Sequence, residues 1–98
     1  METRRDRIEG VVLEAMSGNT IFVRLYRLDD INKDLTYHQL ERVRINGYRE
    51  YEKDSYADGL ARRQLNERLQ NEQIELEVIG RQKDNFLLCD IVKMKITV

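Results

Sequence analysis

"ADGLARRQLNERLQNEQIELEV", Ala57 to Val78, changes its apolar period halfway along. Leu60, Ala61, Leu65 and Leu69 recur at spacings of one and four, which places them on one side of a helix. From Ile74 the spacing drops to two. Ile74, Leu76 and Val78 alternate with Glu75 and Glu77, as in a strand with one wet face. Ser55 or Asp58 is placed to cap the helix start, and Asn71 to end it in the left-handed conformation.

Strand patterns lie on both sides of this unit. Upstream, Ile8 to Ala15 reads as a first strand, with Gly10 as the place for a bulge. "AMSGNTIFVRL", Ala15 to Leu25, breaks at Ser17-Gly18-Asn19 and resumes as an alternating run. Gly-Asn between apolar runs signals a hairpin, because both residues tolerate positive φ. The second strand spans Thr20 to Leu28, with Ile21, Val23 and Leu25 on one face and Phe22, Arg24 and Tyr26 on the other. "DDINKD", Asp29 to Asp34, reads as a loop. A third strand near Gln39 to Asn46 turns Val43 and Ile45 inward and Arg42 and Arg44 outward. Gly47 to Asp54 is irregular and polar apart from its tyrosines. Downstream, Gly80 to Asn85 turns the chain into a long fifth strand, Phe86 to Val98. Its inward set shifts phase near Asp90 to Val92 and continues as Val92, Met94, Ile96 and Val98, a sign of a bulge or bend.

The order is β-β-β-α-β-β, mainly β with one helix. It predicts a five-stranded OB-fold barrel, and another small α+β sheet fits the same string. At 98 residues without a linker or repeat, residues 1–98 are expected to form one domain. Its 17 basic and 18 acidic residues leave a net charge of −1, so no chain-wide footprint for nucleic acid is present and any such surface must be local. Cys89 is the single cysteine, which excludes an internal disulfide; within "FLLCDIV" it reads as a small buried hydrophobe. No apolar run approaches a membrane span and no secretory segment follows Met1, so the cytoplasm is the expected compartment and no membrane partner is expected.

The chain resembles the staphylococcal nuclease-like (thermonuclease) family of OB-folds. The resemblance is carried by "VVLEAMSGNTIFVRL", "VRINGYREYE", "ADGLARRQLNERLQNEQIELEV" and "KDNFLLCDIV", from about Ile8 to Ile96. It implies a nuclease site in which two aspartates hold calcium, a glutamate orients water and two arginines hold the scissile phosphate. Asn19 stands at the hairpin aspartate and Arg49 at the loop aspartate, with Glu50 beside it. Arg44 matches the first phosphate arginine and Glu52 the glutamate, with Tyr51 replacing the usual proline. Phe86 stands at the second arginine, after Asp84 and Asn85 in place of a tyrosine-glycine pair. Calcium needs several hard, usually anionic oxygens, and Asn19 and Arg49 remove that charge. Calcium is therefore expected to be lost, with Arg44, Glu52 and Asn19 as vestiges of the site.

Three functions follow as expectations. The first is a non-catalytic module holding single-stranded nucleic acid through the former active-site face, with Arg24, Arg42, Arg44, Arg49 and Tyr26 as contacts beside Phe22. The second is a residual metal-dependent nuclease using Glu52 and Arg44. The third is a protein-interaction domain or homodimer. This family's domain usually closes with extra helices, and here the fifth strand and "KMKITV" offer an edge that Lys93 and Lys95 equally serve to protect. Arg49 has Glu50 and Glu52 as possible ion partners. Tyr48, Tyr51 and Tyr56 read equally as stacking residues or loop anchors. His38 and Lys83 read as solvated side chains. No Gly-rich phosphate loop, Ser-His-Asp set or cysteine pair occurs.

Overall fold

A computed structural model describes residues 5–29 and 35–95. Six elements follow in the expected order: β1 Arg7–Ala15, β2 Thr20–Asp29, β3 Leu40–Ile45, α1 Tyr56–Leu69, β4 Gln73–Arg81 and β5 Leu87–Lys93. The strands close into a barrel in the order β1-β2-β3-β5-β4. All neighbours are antiparallel except β3 and β5, which run parallel over Val43–Leu87 to Ile45–Cys89. Among the described residues, no helix is long and apolar enough to cross a membrane.

Closure of so few strands demands sharp bending, and β1 supplies it. Its register against β2 shifts twice, between Glu9 and Gly10 and between Val12 and Glu14. At the first shift the unmatched residue is Tyr26 on β2, so the extra residue falls opposite the glycine rather than on it. Gly10 is needed because the strands nearly touch there. A Cβ would stand 2.7 Å from the Arg24 carbonyl oxygen and collide with Val23. Inside, Ile8, Val12, Ile21, Val23, Val43, Ile74, Leu76, Val78, Leu87 and Cys89 fill the barrel at 1% exposure or less.

The helix closes one end. Ser55 caps it, its hydroxyl accepting the Asp58 N–H at 3.1 Å. Leu65 and Leu69 are buried, whereas Leu60 is 39% exposed, so the buried stripe is narrower than the spacing predicts. Past the helix, Asn71 takes φ 66° and donates its N–H to the Val12 carbonyl at 2.7 Å, while Val12 N–H reaches the Glu72 carbonyl at 2.9 Å. The Asn66 side chain accepts the Ala15 N–H at 2.8 Å. The helix is thereby tied to the strand that carries the hairpin.

The fifth strand departs from expectation. It ends at Lys93, and Val92 and Met94 are 36% and 37% exposed instead of inward. The inward set keeps its phase through Leu87, Cys89 and Ile91. Val92 is the unmatched residue in a register shift against β4, so the expected bulge is present. The reason is that β3 stops at Ile45, and beyond it β5 has no opposing strand on that side among the described residues. Ile96, Thr97, Val98 and residues 30–34 of the predicted loop lie outside the described residues.

A buried carboxylate in an ion pair fastens the barrel's other end. Glu41 follows the inward alternation of β3 and is 3% exposed. Arg81 at the end of β4 donates to both its carboxylate oxygens, at 2.7 and 2.9 Å, and also to the Thr36 and Asn85 carbonyls. The His38 N–H adds a further bond at 2.7 Å. Burial pushes the Glu41 carboxyl up, but the bonds from Arg81 and His38 outweigh it and hold it below the usual carboxylate range.

Candidate nucleic-acid interface

The hairpin after β1 is pinned at its tip. Met16 and Ser17 donate their N–H groups to the Thr20 carbonyl, and the Asn19 carbonyl accepts the Ile45 N–H at 2.8 Å. Neither Gly18 nor Asn19 takes a positive φ, contrary to the turn that the pair predicts. Side-chain bonds reinforce the backbone ones. Asn19 Oδ1 accepts both the Ser17 and Thr20 hydroxyls, at 2.9 and 3.0 Å. Gly18 is required for proximity: a Cβ there would lie 2.8 Å from Ala61 Cβ and 2.9 Å from the Tyr51 ring.

Between hairpin and helix lies an open recess of about 360 Å³. Asn19 and Arg44 line it, and so do Glu50, Asp54 and Asp58. Glu52 does not; it is exposed, and its carbonyl accepts the Ser55 N–H. Arg49 is also elsewhere. Its guanidinium lies over the Tyr51 ring at 5.1 Å, in a second recess shared with Gly18 and Ala61. Tyr51 lines both recesses and separates Arg49 from Asn19. Arg49 pairs with neither Glu50 nor Glu52. Among the described residues, no three Asp, Glu, His or Cys side chains are grouped to hold a metal ion.

The outer face of β2, β3 and the start of β5 brings most of the remaining residues together. Phe22 faces Arg42 directly, Thr20 faces Arg44 and Arg24 faces Leu40. Arg42 and Arg44 both lie over the Phe86 ring, at 4.7 and 4.8 Å from its centroid. Arg44 is half-buried and held by Asp84 at 3.0 Å and by Gln82. Arg42 and Arg24 are exposed and form no ion pair among the described residues. Tyr26 leaves this cluster. The register shift opposite Gly10 carries it toward β1 and β4, where its hydroxyl lies 3.5 Å from Gln73 Oε1. Partial burial, and then the Glu9 carboxylate, push that hydroxyl's pKa up.

The opposite side of the barrel is self-neutralised. Arg7 pairs with Glu75 at 3.0 Å and Glu77 at 3.7 Å, Arg5 with Asp90 at 3.3 Å and Arg27 with Glu9 at 3.9 Å. A near-zero net charge thus coexists with a local row of arginines. The role of Phe86 under two guanidiniums has a faint sequence signal, since Arg42 and Arg44 share a strand face; the approach of β5 to β3 has none.

No protein-family model matches the chain, and a search of curated proteins finds no matching sequence.

Proposed function

We propose that this barrel is a non-catalytic OB-fold module, of the nuclease-like type its sequence resembles, that binds single-stranded nucleic acid through the outer face of β2 and β3. The observation that carries this is the placement of Arg42 and Arg44 over Phe86, with Arg42 and Arg24 in no ion pair among the described residues. A guanidinium over an aromatic ring still has N–H groups to offer to phosphate. Three arginines on one sheet face follow the backbone of an extended strand, and Phe22 adds apolar contact.

The recess at the hairpin supports binding less than the sheet face does. Its three carboxylates outnumber its cations, Arg44 and Lys53, and Arg44 is already paired. Calcium does not fit the residues there. Asn19 Oδ1 already accepts two hydroxyls, and Arg49, which replaces the implied ligand aspartate in the sequence, lies over Tyr51 in the other recess and leaves no carboxylate from that position. Glu52 lies outside the recess, so no general base faces Arg44 from that position. These features favour binding without cleavage.

Fluorescence anisotropy with a labelled single-stranded oligonucleotide tests this reading. Contact with three phosphates predicts a log–log salt slope of about −2, at roughly 0.7 per phosphate. Arg42→Ala and Arg24→Ala each weaken binding and each flatten that slope. Intact oligonucleotide after incubation with calcium or magnesium is expected. Failure to bind at low salt, or binding indifferent to both variants, refutes the proposal.

A further inference from the structure

The turn between β4 and β5 aims an acid at the arginine row. Gln82 N–H donates to the Phe86 carbonyl at 2.8 Å, Asn85 N–H to the Gln82 carbonyl at 2.9 Å, and Asn85 takes φ 73°. This folds Asp84 back so that one carboxylate oxygen accepts the Phe86 N–H at 3.2 Å while the other meets Arg44 Nη2 at 3.0 Å. The contact is through a single oxygen, since Arg44 Nη1 donates to Gln82 instead, and an anionic oxygen on a guanidinium N–H is what a phosphate oxygen would also supply. The Asp84 side chain is 47% exposed and the Arg44 side chain 27%. The seat is therefore open to exchange with a solvent-borne anion.

We propose that Asp84 is an internal competitor, occupying the anion seat of Arg44 until a nucleic-acid phosphate displaces it. This rests on the binding role proposed above and adds to it a built-in brake. Arg42 and Arg24, which have no such occupant among the described residues, make the first contacts. Arg44 joins only when the strand displaces Asp84. The opposite role for Asp84 is that of a positioning residue that holds Arg44 in place for the strand, and it predicts the opposite sign.

Asp84→Asn separates the two. It keeps a side-chain carbonyl for the Phe86 N–H and removes the charge on Arg44. Exposed ion pairs are weak, so the expected gain in oligonucleotide affinity is about twofold to fivefold. Glu67→Gln removes the same charge from the exposed face of the helix and is expected to change affinity by less than half of that. In the Arg44→Gln background the gain from Asp84→Asn disappears. An unchanged or lowered affinity in Asp84→Asn, with the parent protein binding, overturns the competitor and leaves the binding role intact. An equal gain from Glu67→Gln also overturns it, by reducing the effect to net charge. Absence of binding in every variant overturns both.

Discussion

Arg81→Met removes the charged fork from a carboxylate that has nowhere else to go. Glu41 is 3% exposed, and its remaining donor is the His38 N–H. Left so, the carboxylate either stays charged without its partner or takes a proton. Protonating an ordinary carboxyl of pKa about 4.3 at neutral pH costs about 3.7 kcal/mol, which bounds that part of the loss. Breaking a buried pair from one side costs about 3–5 kcal/mol. The Arg81 side chain is 19% exposed, so water reaches that side and the low end applies, about 3 kcal/mol. For a chain of this size that lowers Tm by about 12–24 °C. The assay is urea and thermal unfolding followed by far-UV circular dichroism at two pH values. In the parent protein the Glu41 pKa lies below its unfolded value. Its stabilisation is complete above the unfolded pKa and is lost as pH falls through the folded one. The variant lacks that contribution, so the gap between the proteins narrows on acidification. Replacing both residues, Glu41→Leu with Arg81→Met, restores most of the stability. A loss below about 1 kcal/mol at neutral pH, or a gap that ignores pH, refutes the reasoning.

Cys89 is fully buried and its thiol is pushed up to about 12, first by burial and then by the Glu41 and Asp90 carboxylates. A thiol reagent is expected to label it only as fast as the protein opens, and rapid stoichiometric labelling of the native protein contradicts that burial. Gly18→Ala forces a methyl group into Ala61 and Tyr51 and is expected to cost about 1–3 kcal/mol in urea unfolding. Gly59→Ala, where an added Cβ meets nothing within 4 Å, is expected to stabilise the helix by about 1 kcal/mol. Equal effects from the two glycines contradict the close approach at the hairpin.

The strand and helix pattern was legible because burial imposes it on the side chains. Ile74, Leu76 and Val78 face the core as their spacing demands, Ser55 caps the helix start by local chemistry, and Asn71 takes the positive φ expected after its end. Arg42 and Arg44 fall on the outer face for the same reason. What was not legible depends on partners distant in sequence. Glu41 carries the inward phase of β3, yet only the approach of Arg81 makes its burial tolerable. Val92 and Met94 look apolar enough for the core, but β3 has already ended beside them. The resemblance assigns Arg49 and Glu52 to the site, and strand alternation assigns Tyr26 to its face. In the structure Arg49 lies over Tyr51, Glu52 is exposed and does not line the recess that Tyr51 and Lys53 line, and Tyr26 is displaced opposite Gly10. Asp84 was visible as a replacement but not as the partner of Arg44.

The most direct measurement is amide chemical-shift mapping of the isotope-labelled protein titrated with a single-stranded oligonucleotide at low salt. Saturable shifts are expected to concentrate at Phe22 to Arg24, Leu40 to Arg44 and Phe86 to Leu88, with the ion-paired face of β1 and β4 unmoved. Shifts confined to β1 and β4, or none at any concentration, contradict binding through the outer face of β2 and β3.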